Sequence, residues 1–351
     1  MEYKVSVILP AYNAEKTLER AFLSVKNQTM GFENIELLLC DDCSTDGSWA
    51  MIRSLAEKYP NVAALRTQKN SGAAGAPRNL GLGAASAPYV MFLDADDVYE
   101  PQMVETLYAA MRENGRLDTA SVNFRLSDSR KGFFPYKGDA FFSAERFISK
   151  DSPFLCAFWA KIYRNDLILK HGLRFYEGVT AEDVVFLQMY LGVCGCGLYI
   201  DKPLYIYTED ATSISHCESE FFHVTRGACW AMAIRDRCAW IARYEAQCHI
   251  TDQCIDALIR NRNLTREQLL RALYGLRPLC VFGEQNDLPL TSAQARILRY
   301  DLAFEDEKKT ELDFLQLREL HAQQQRELDG IFSSTTWKVA SGLQKLLFWR
   351  K

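Results

Sequence analysis

The residues of this chain best placed to do chemistry stand together at Leu93-Asp94-Ala95-Asp96-Asp97, directly after the apolar run Tyr89-Val90-Met91-Phe92. Three carboxylates in four positions repel one another unless a cation sits among them. Their hard oxygens suit Mg²⁺ or Mn²⁺, ions that usually arrive with a phosphate. The plain alternative is a solvated turn in which Asp96 or Asp97 caps a helix beginning near Pro101. The elements that deliver the cluster decide between the two.

From residue 4 to about 97, short apolar runs alternate with amphipathic stretches, the pattern of βαβ units in a parallel sheet. Val5-Ser6-Val7-Ile8-Leu9 reads as a buried first strand, with Pro10-Ala11-Tyr12-Asn13 as the loop at its carboxyl end. A helix is expected over residues 15–28, with Leu18, Phe22 and Val25 on one face. Ile35-Glu36-Leu37-Leu38-Leu39-Cys40 reads as a second strand that stops at Asp41-Asp42, and Ser44-Thr45-Asp46-Gly47 supplies cap and turn chemistry before a helix running to about residue 59. A third strand is expected over 61–67, a glycine and alanine loop over 72–77, a helix over 78–85, and then the strand that carries the acidic cluster. In an open α/β sheet, ligands bind outside the carboxyl ends of the strands. Three loops there hold Asn13, Asp41 with Asp42, and Asp94 with Asp96 and Asp97.

At 351 residues, 48% of them hydrophobic, the chain can bury a sizeable core in one large or two ordinary domains. A formal net charge of −4 argues against a general nucleic-acid binder. The 11 cysteines include a single CxxC spacing, Cys40 and Cys43, with no second such pair to complete a zinc site, which suits a reducing compartment better than a disulfide framework. Cys194-Gly195-Cys196 reads as packing. No signal-peptide pattern precedes the first strand and no apolar run has the length of a membrane span, so the protein is expected to be cytoplasmic.

Residues 101–216 read as a second half, richer in aromatics and mixing helices with short strands, and 217–300 as a helical region. Residues 301–335 read as a charged helix in which Phe314, Leu317, His321, Gln324, Leu328 and Ile331 keep a 3-4 spacing. That spacing fits a short coiled coil, and so a homodimer, or a helix packed on its own protein. Residues 336–351 set Trp337, Leu343, Leu346, Leu347, Phe348 and Trp349 among Lys338, Lys345, Arg350 and Lys351. Such a tail suits a peripheral place on the inner face of an anionic membrane, or a terminal helix docked on the helical region.

Four motifs in order, Val5-Ser6-Val7-Ile8-Leu9-Pro10-Ala11-Tyr12-Asn13, Cys40-Asp41-Asp42-Cys43-Ser44-Thr45-Asp46-Gly47-Ser48, Ala76-Pro77-Arg78-Asn79-Leu80-Gly81 and Phe92-Leu93-Asp94-Ala95-Asp96-Asp97, resemble those of glycosyltransferase family 2. Glu182-Asp183 and Ser213-Ile214-Ser215-His216 extend the resemblance to about residue 216. The resemblance implies an α/β GT-A fold, here with a mostly helical C-terminal extension. It also implies a nucleotide-diphosphate sugar donor, a divalent metal (Mn²⁺ or Mg²⁺) and inversion at the anomeric carbon.

Residue by residue, Asp42 matches the family position that accepts the N3 hydrogen of uracil, while Asp41 is expected to stabilise the loop. Cys43 stands where family members commonly have glycine. Pro10, Ala11 and Asn13 would wall the base pocket, although Asn13 also suits a simple turn. Asp94, Asp96 and Asp97 match aspartates that contact donor and metal, with Asp96 and Asp97 as expected metal residues and His216 as a further group for metal or diphosphate. Arg78 would approach the donor as a fixed cation, or pair with a loop aspartate. Asp183 is the expected base and Glu182 its supporting neighbour, although Thr180-x-x-Asp183 also resembles a capping box. Trp159 and Lys161 match positions on the acceptor side.

Gly81-Leu82-Gly83-Ala84-Ala85-Ser86 has a dinucleotide-like spacing but falls within or after a helix, so it predicts no nicotinamide site. The sequence therefore predicts an inverting transferase moving a sugar, with UDP as the expected nucleotide, to a hydroxyl of a glycan or lipid-linked glycan in bacterial surface polysaccharide synthesis. A non-catalytic nucleotide-sugar scaffold and a sugar nucleotidyltransferase are the alternatives.

Overall fold

The computed structural model describes residues 2–208, apart from 130–131, 134–135, 148–151, 155–156 and 179–181. They lie in the first of two units, Met1–His216. The expected helical region, charged helix, cationic tail and His216 fall outside the described residues, as does Thr180.

The first strand, β1 (Val5–Ala11), is buried along its whole length, as befits a strand covered on both faces. It pairs in parallel with β2 (Ile35–Asp41) on one side and β4 (Tyr89–Phe92) on the other, and β2 pairs in parallel with β3 (Val62–Arg66). Between them run α1 (Leu18–Lys26), α2 (Ser48–Lys58) and α3 (Gly75–Ala84). The chain then forms β5 (Val98–Tyr99), α4 (Met103–Glu113), β6 (Thr119–Leu126), β7 (Ala140–Ser143) and α5 (Ala144–Phe147). It ends with β8 (Lys161–Arg164), α6 (Asn165–Lys170), α7 (Glu182–Val193) and β9 (Cys196–Tyr207). One sheet has the order β3-β2-β1-β4-β8-β6-β9-β5, with β7 added beside β9. Its first four strands are parallel and β8 enters antiparallel to β4, so a parallel half meets a mixed half at that seam.

Helix α3 begins earlier than the expected residue 78, absorbing Gly75, Ala76 and Pro77 from the presumed loop. Pro77 is tolerated because the first helical turn has no intrahelical partner for its N–H groups. Gly75 and Gly81 make the helix's close approaches. A Cβ on Gly75 would lie 2.2 Å from the Tyr176 carbonyl oxygen, and one on Gly81 would lie 2.5 Å from Ile8 Cγ2. Gly81 therefore serves helix packing against β1, while a Cβ on Gly83 would meet open space, so the Gly81-Leu82-Gly83 spacing is part of a helix, as expected. Helix α1 starts later than expected, at Leu18, and β9, at 12 residues, is longer than the short strands expected of this half. Lys202-Pro203 looks like a strand break, but the sheet accommodates Pro203 with a register shift opposite Val122 and Asn123.

Beneath the seam, Phe92 meets Phe158, Tyr163, Phe175 and Phe186 at centroid distances of 5.4, 5.6, 5.4 and 5.7 Å. Edge-to-face packing of this kind makes a rigid floor. Asn79 on α3 fastens the chain above it, donating from Nδ2 to the Phe175 carbonyl at 2.8 Å and accepting the Phe175 N–H at 2.8 Å.

Candidate active site at the carboxyl ends of the strands

The register places the chemistry. Ala11 lies beside Asp41 and Ile8 beside Phe92, so the chain leaves three adjacent strands at neighbouring points. Backbone bonds continue past the strands, from the Asp42 N–H to the Ala11 carbonyl at 2.8 Å and from the Leu93 N–H to the Ile8 carbonyl at 3.0 Å. Pro10, Ala11 and Asn13 thus face the start of the Asp42 loop across one strand spacing.

Asn13 adopts a φ of 49°, and its side-chain oxygen accepts the Thr45 N–H at 2.9 Å. It binds one loop to the next. Asp41, fully buried, accepts from Arg66 Nε at 2.9 Å and from the Ser44 N–H at 3.1 Å, which is the loop-stabilising part expected of it. Cys43 has a φ of 57°, in the left-handed region that glycine adopts most easily, and this is the backbone reason for a glycine at that point. Asp42 is 3% exposed. Thr67 Oγ1 donates to its Oδ1 at 2.8 Å, and the Ser71 N–H and hydroxyl donate to its Oδ2 at 2.9 and 2.8 Å.

In the acidic turn the carboxylates are not equivalent. Asp97 is buried, with Tyr205 Oη donating to Oδ2 at 2.6 Å and the Thr208 N–H donating to Oδ1 at 2.7 Å. Burial, reinforced by the charges of Asp94 and Asp96, pushes its pKa up to about 8. Asp94 and Asp96 keep partial exposure. The turn is also held from α1, where Arg20 donates to the Asp96 carbonyl at 2.6 Å and to Thr208 Oγ1 at 3.2 Å.

Arg78 links this turn to α7. Only 5% exposed, it donates from one terminal nitrogen to Asp94 Oδ1 at 2.8 Å and from the other to Glu182 Oε1 at 2.7 Å. Its guanidinium lies 4.5 Å from the Phe158 ring centroid, and its Nε has no partner among the described residues. Burial disfavours the charge, but Asp94 and Glu182 overcome that and raise the pKa of Arg78 above its ordinary value. Burial raises Glu182 to about 7 against the pull of Arg78, and it raises Asp183 against the same pull. The sequence offered pairing with a loop aspartate as one of two readings for Arg78. It gave no sign that Glu182, 104 residues away, would be the second partner.

Among the described residues, no three His, Cys, Asp or Glu side chains converge as a ready metal centre. Mg²⁺ bound largely through phosphate oxygens needs only one or two protein carboxylates. The partly exposed Asp94 and Asp96 fit that requirement. Asp97, with both oxygens engaged, is arranged to hold the turn. Trp159 is buried and stacks on Tyr205 at 3.9 Å and on Tyr207 at 5.7 Å, while Lys161 is fully buried and donates to the Ala157 carbonyl at 2.9 Å. Tyr205, Thr67 and Ser71 went unnoticed in the sequence, because neutral hydroxyls at unremarkable spacings announce nothing.

Comparison with known proteins accords with this geometry. Residues 6–172 match the model of glycosyl transferase family 2. The chain is 32% identical over 219 residues to the poly(ribitol-phosphate) beta-N-acetylglucosaminyltransferase TarP of Staphylococcus aureus (strain N315), covering 61% of this chain and 65% of that protein. It is 32% identical over 224 residues to the uncharacterized glycosyltransferase YibD of Escherichia coli (strain K12), covering 60% of this chain and 63% of that protein. The matched region thus spans somewhat less than two thirds of each relative. The crystal structure of S. aureus TarS 1-349 in complex with UDP-GlcNAc superposes with a TM-score of 0.62 at 23% identity, over 80% of this chain and 81% of that one. The fold is therefore the GT-A arrangement of a mixed α/β sheet, and residues 6–172 match as a glycosyl transferase family 2 domain.

Proposed function

We propose that this protein transfers a sugar from a nucleoside-diphosphate donor, UDP being the nucleotide, to a hydroxyl of a glycan or lipid-linked glycan, with inversion, in the assembly of a bacterial surface polysaccharide. One observation carries the reading: Arg78 holds the acidic turn and the start of α7 within the span of one guanidinium, at 2.8 and 2.7 Å. A donor diphosphate at the turn and an acceptor hydroxyl at Asp183 would then meet across a fixed gap.

In that reaction the acceptor oxygen attacks the anomeric carbon, the bond to the diphosphate breaks, and Asp183 takes the hydroxyl proton. Glu182, engaged by Arg78, positions the helix start instead of competing for the proton. Asp42 receives the base, and Pro10, Ala11 and Asn13 shape its pocket. Asp94 and Asp96 would hold Mn²⁺ or Mg²⁺, whose charge offsets that of the leaving diphosphate. Asp97 keeps their turn in shape. A polymer hydroxyl as acceptor is supported by the poly(ribitol-phosphate) in the name of the staphylococcal relative. Peripheral membrane contact through residues 336–351 and a homodimer through residues 301–335 are part of the proposal.

The test is a thermal-shift and turnover screen of UDP, GDP and their sugars, with and without Mn²⁺. Stabilisation grows with ligand concentration over its dissociation constant, so a UDP-sugar should raise the melting temperature most, and more with metal. Absence of any shift with every nucleotide would overturn the reading.

A further inference from the structure

We propose that Thr67 and Ser71 are positioning residues that make Asp42 a fixed, acceptor-only reader of the nucleobase, selecting bases whose ring edge carries an N–H. This deepens the proposed function and rests on its reading of Asp42 as the base-contacting residue.

Asp42 is buried beneath the segment after β3, and three donors occupy its two oxygens: the Thr67 hydroxyl, the Ser71 hydroxyl and the Ser71 N–H. Three donors leave one of its four lone-pair sites, on Oδ1, open to a base edge. The two hydroxyls differ from the N–H in one respect. Each carries a single proton and has a second acceptor already in range, the Lys69 carbonyl 3.0 Å from Thr67 Oγ1 and the Ala73 carbonyl 2.7 Å from Ser71 Oγ. Each hydroxyl can therefore share its proton between the carboxylate and that carbonyl, aiming Asp42 from the loop while the base donates to the remaining lone pair. The Ser71 N–H has no such freedom and keeps the carboxylate in register.

An ionised carboxylate held this way only accepts. The ring N–H of uracil or guanine would pair with it. The unprotonated ring nitrogen of cytosine or adenine would set lone pair against lone pair, an exclusion that acts by repulsion. The backbone around the carboxylate is fixed in the same manner, since Asn70 Nδ2 donates to the Asp42 carbonyl at 3.1 Å and the Thr67 N–H donates to the Asp41 carbonyl at 3.0 Å.

The experiment measures dissociation constants of UDP, GDP, CDP and ADP, and donor kinetics, for the full chain and for the T67V S71A variant. We expect UDP binding to weaken about tenfold, the scale for losing hydrogen bonds to a charged group, with a similar loss of the UDP-over-CDP preference. kcat at saturating donor should stay within about threefold, because the chemistry lies elsewhere. The T67S variant, which keeps the hydroxyl, should restore both affinity and preference. If the double variant fails to fold, T67V and S71A are measured singly, each with about a threefold effect. Unchanged UDP affinity and unchanged base preference in a folded variant would overturn the proposal, as would a fall in kcat with KM unaltered. Failure of the unaltered protein to bind any nucleoside diphosphate would instead overturn the proposed function.

Discussion

The two ends of the site hold their carboxylates in opposite ways. At the proposed base end Asp42 is surrounded by neutral donors, two hydroxyls and a backbone N–H. At the transfer end Asp94 and Glu182 share one buried guanidinium, with Asp183 beside them. Neutral donors can be exchanged one at a time, so the base end is built for graded affinity. A shared cation cannot be removed by degrees, because its loss exposes every carboxylate to the others at once.

The largest expected effect follows from that difference. R78A leaves Glu182 and Asp94 facing each other without a counter-charge and should destabilise the domain by about 3 to 5 kcal/mol, read by urea unfolding. R78K keeps the charge but not the two-armed reach, and should fall between the variant and the native protein. A native-like midpoint for R78A would break the comparison at its root.

Next comes D183N, which leaves the packing in place while removing the proposed proton acceptor. Transfer should drop by at least about 100-fold, with UDP affinity held within about threefold. The companion measurement is the pH profile of kcat/KM. The base must be ionised, and burial raises both Asp183 and Glu182, the latter to about 7. Activity should therefore be lost as pH falls through a midpoint above the 3.8 of an ordinary aspartate. The two groups titrate together, so the midpoint belongs to the pair. An acid limb at the ordinary aspartate value would count against Asp183 as the base.

A smaller effect should follow Y205F, which removes the hydroxyl donated to Asp97 but keeps the ring that stacks on Trp159. A loss of about 1 to 3 kcal/mol in unfolding free energy is expected, the scale for a buried acceptor that loses its partner. The smallest is C43G. The φ of 57° favours glycine, while the freer unfolded chain opposes it, so stability should change by less than about 1 kcal/mol. A loss of several kcal/mol would show that the Cys43 side chain does more than occupy a turn.

How far the sequence went depends on the range of the interactions. Strands β2 and β4 were legible almost to the residue, because apolar runs ending at aspartates are local signals, whereas β1 continues through Pro10 and Ala11, which were expected in the loop. Asp42, Asp94 and Asp97 were legible as a group at the strand ends for the same reason. Helix α3 was misplaced by three residues because small residues look like a loop until Tyr176 is seen against Gly75. The division of labour among the aspartates was illegible. It is set by Tyr205 and Thr208, more than a hundred residues away, and no pattern near Asp97 foretells them.

The bond from the Thr208 N–H to Asp97 makes the place where the chain leaves the sheet part of the acidic turn itself. For anyone trimming this protein, a cut before Thr208 would therefore remove an amide that the acidic turn uses. A version ending at Tyr207 would keep every strand yet strip one oxygen of Asp97 of its partner. One that retains Thr208 would keep the turn's hydrogen bonds.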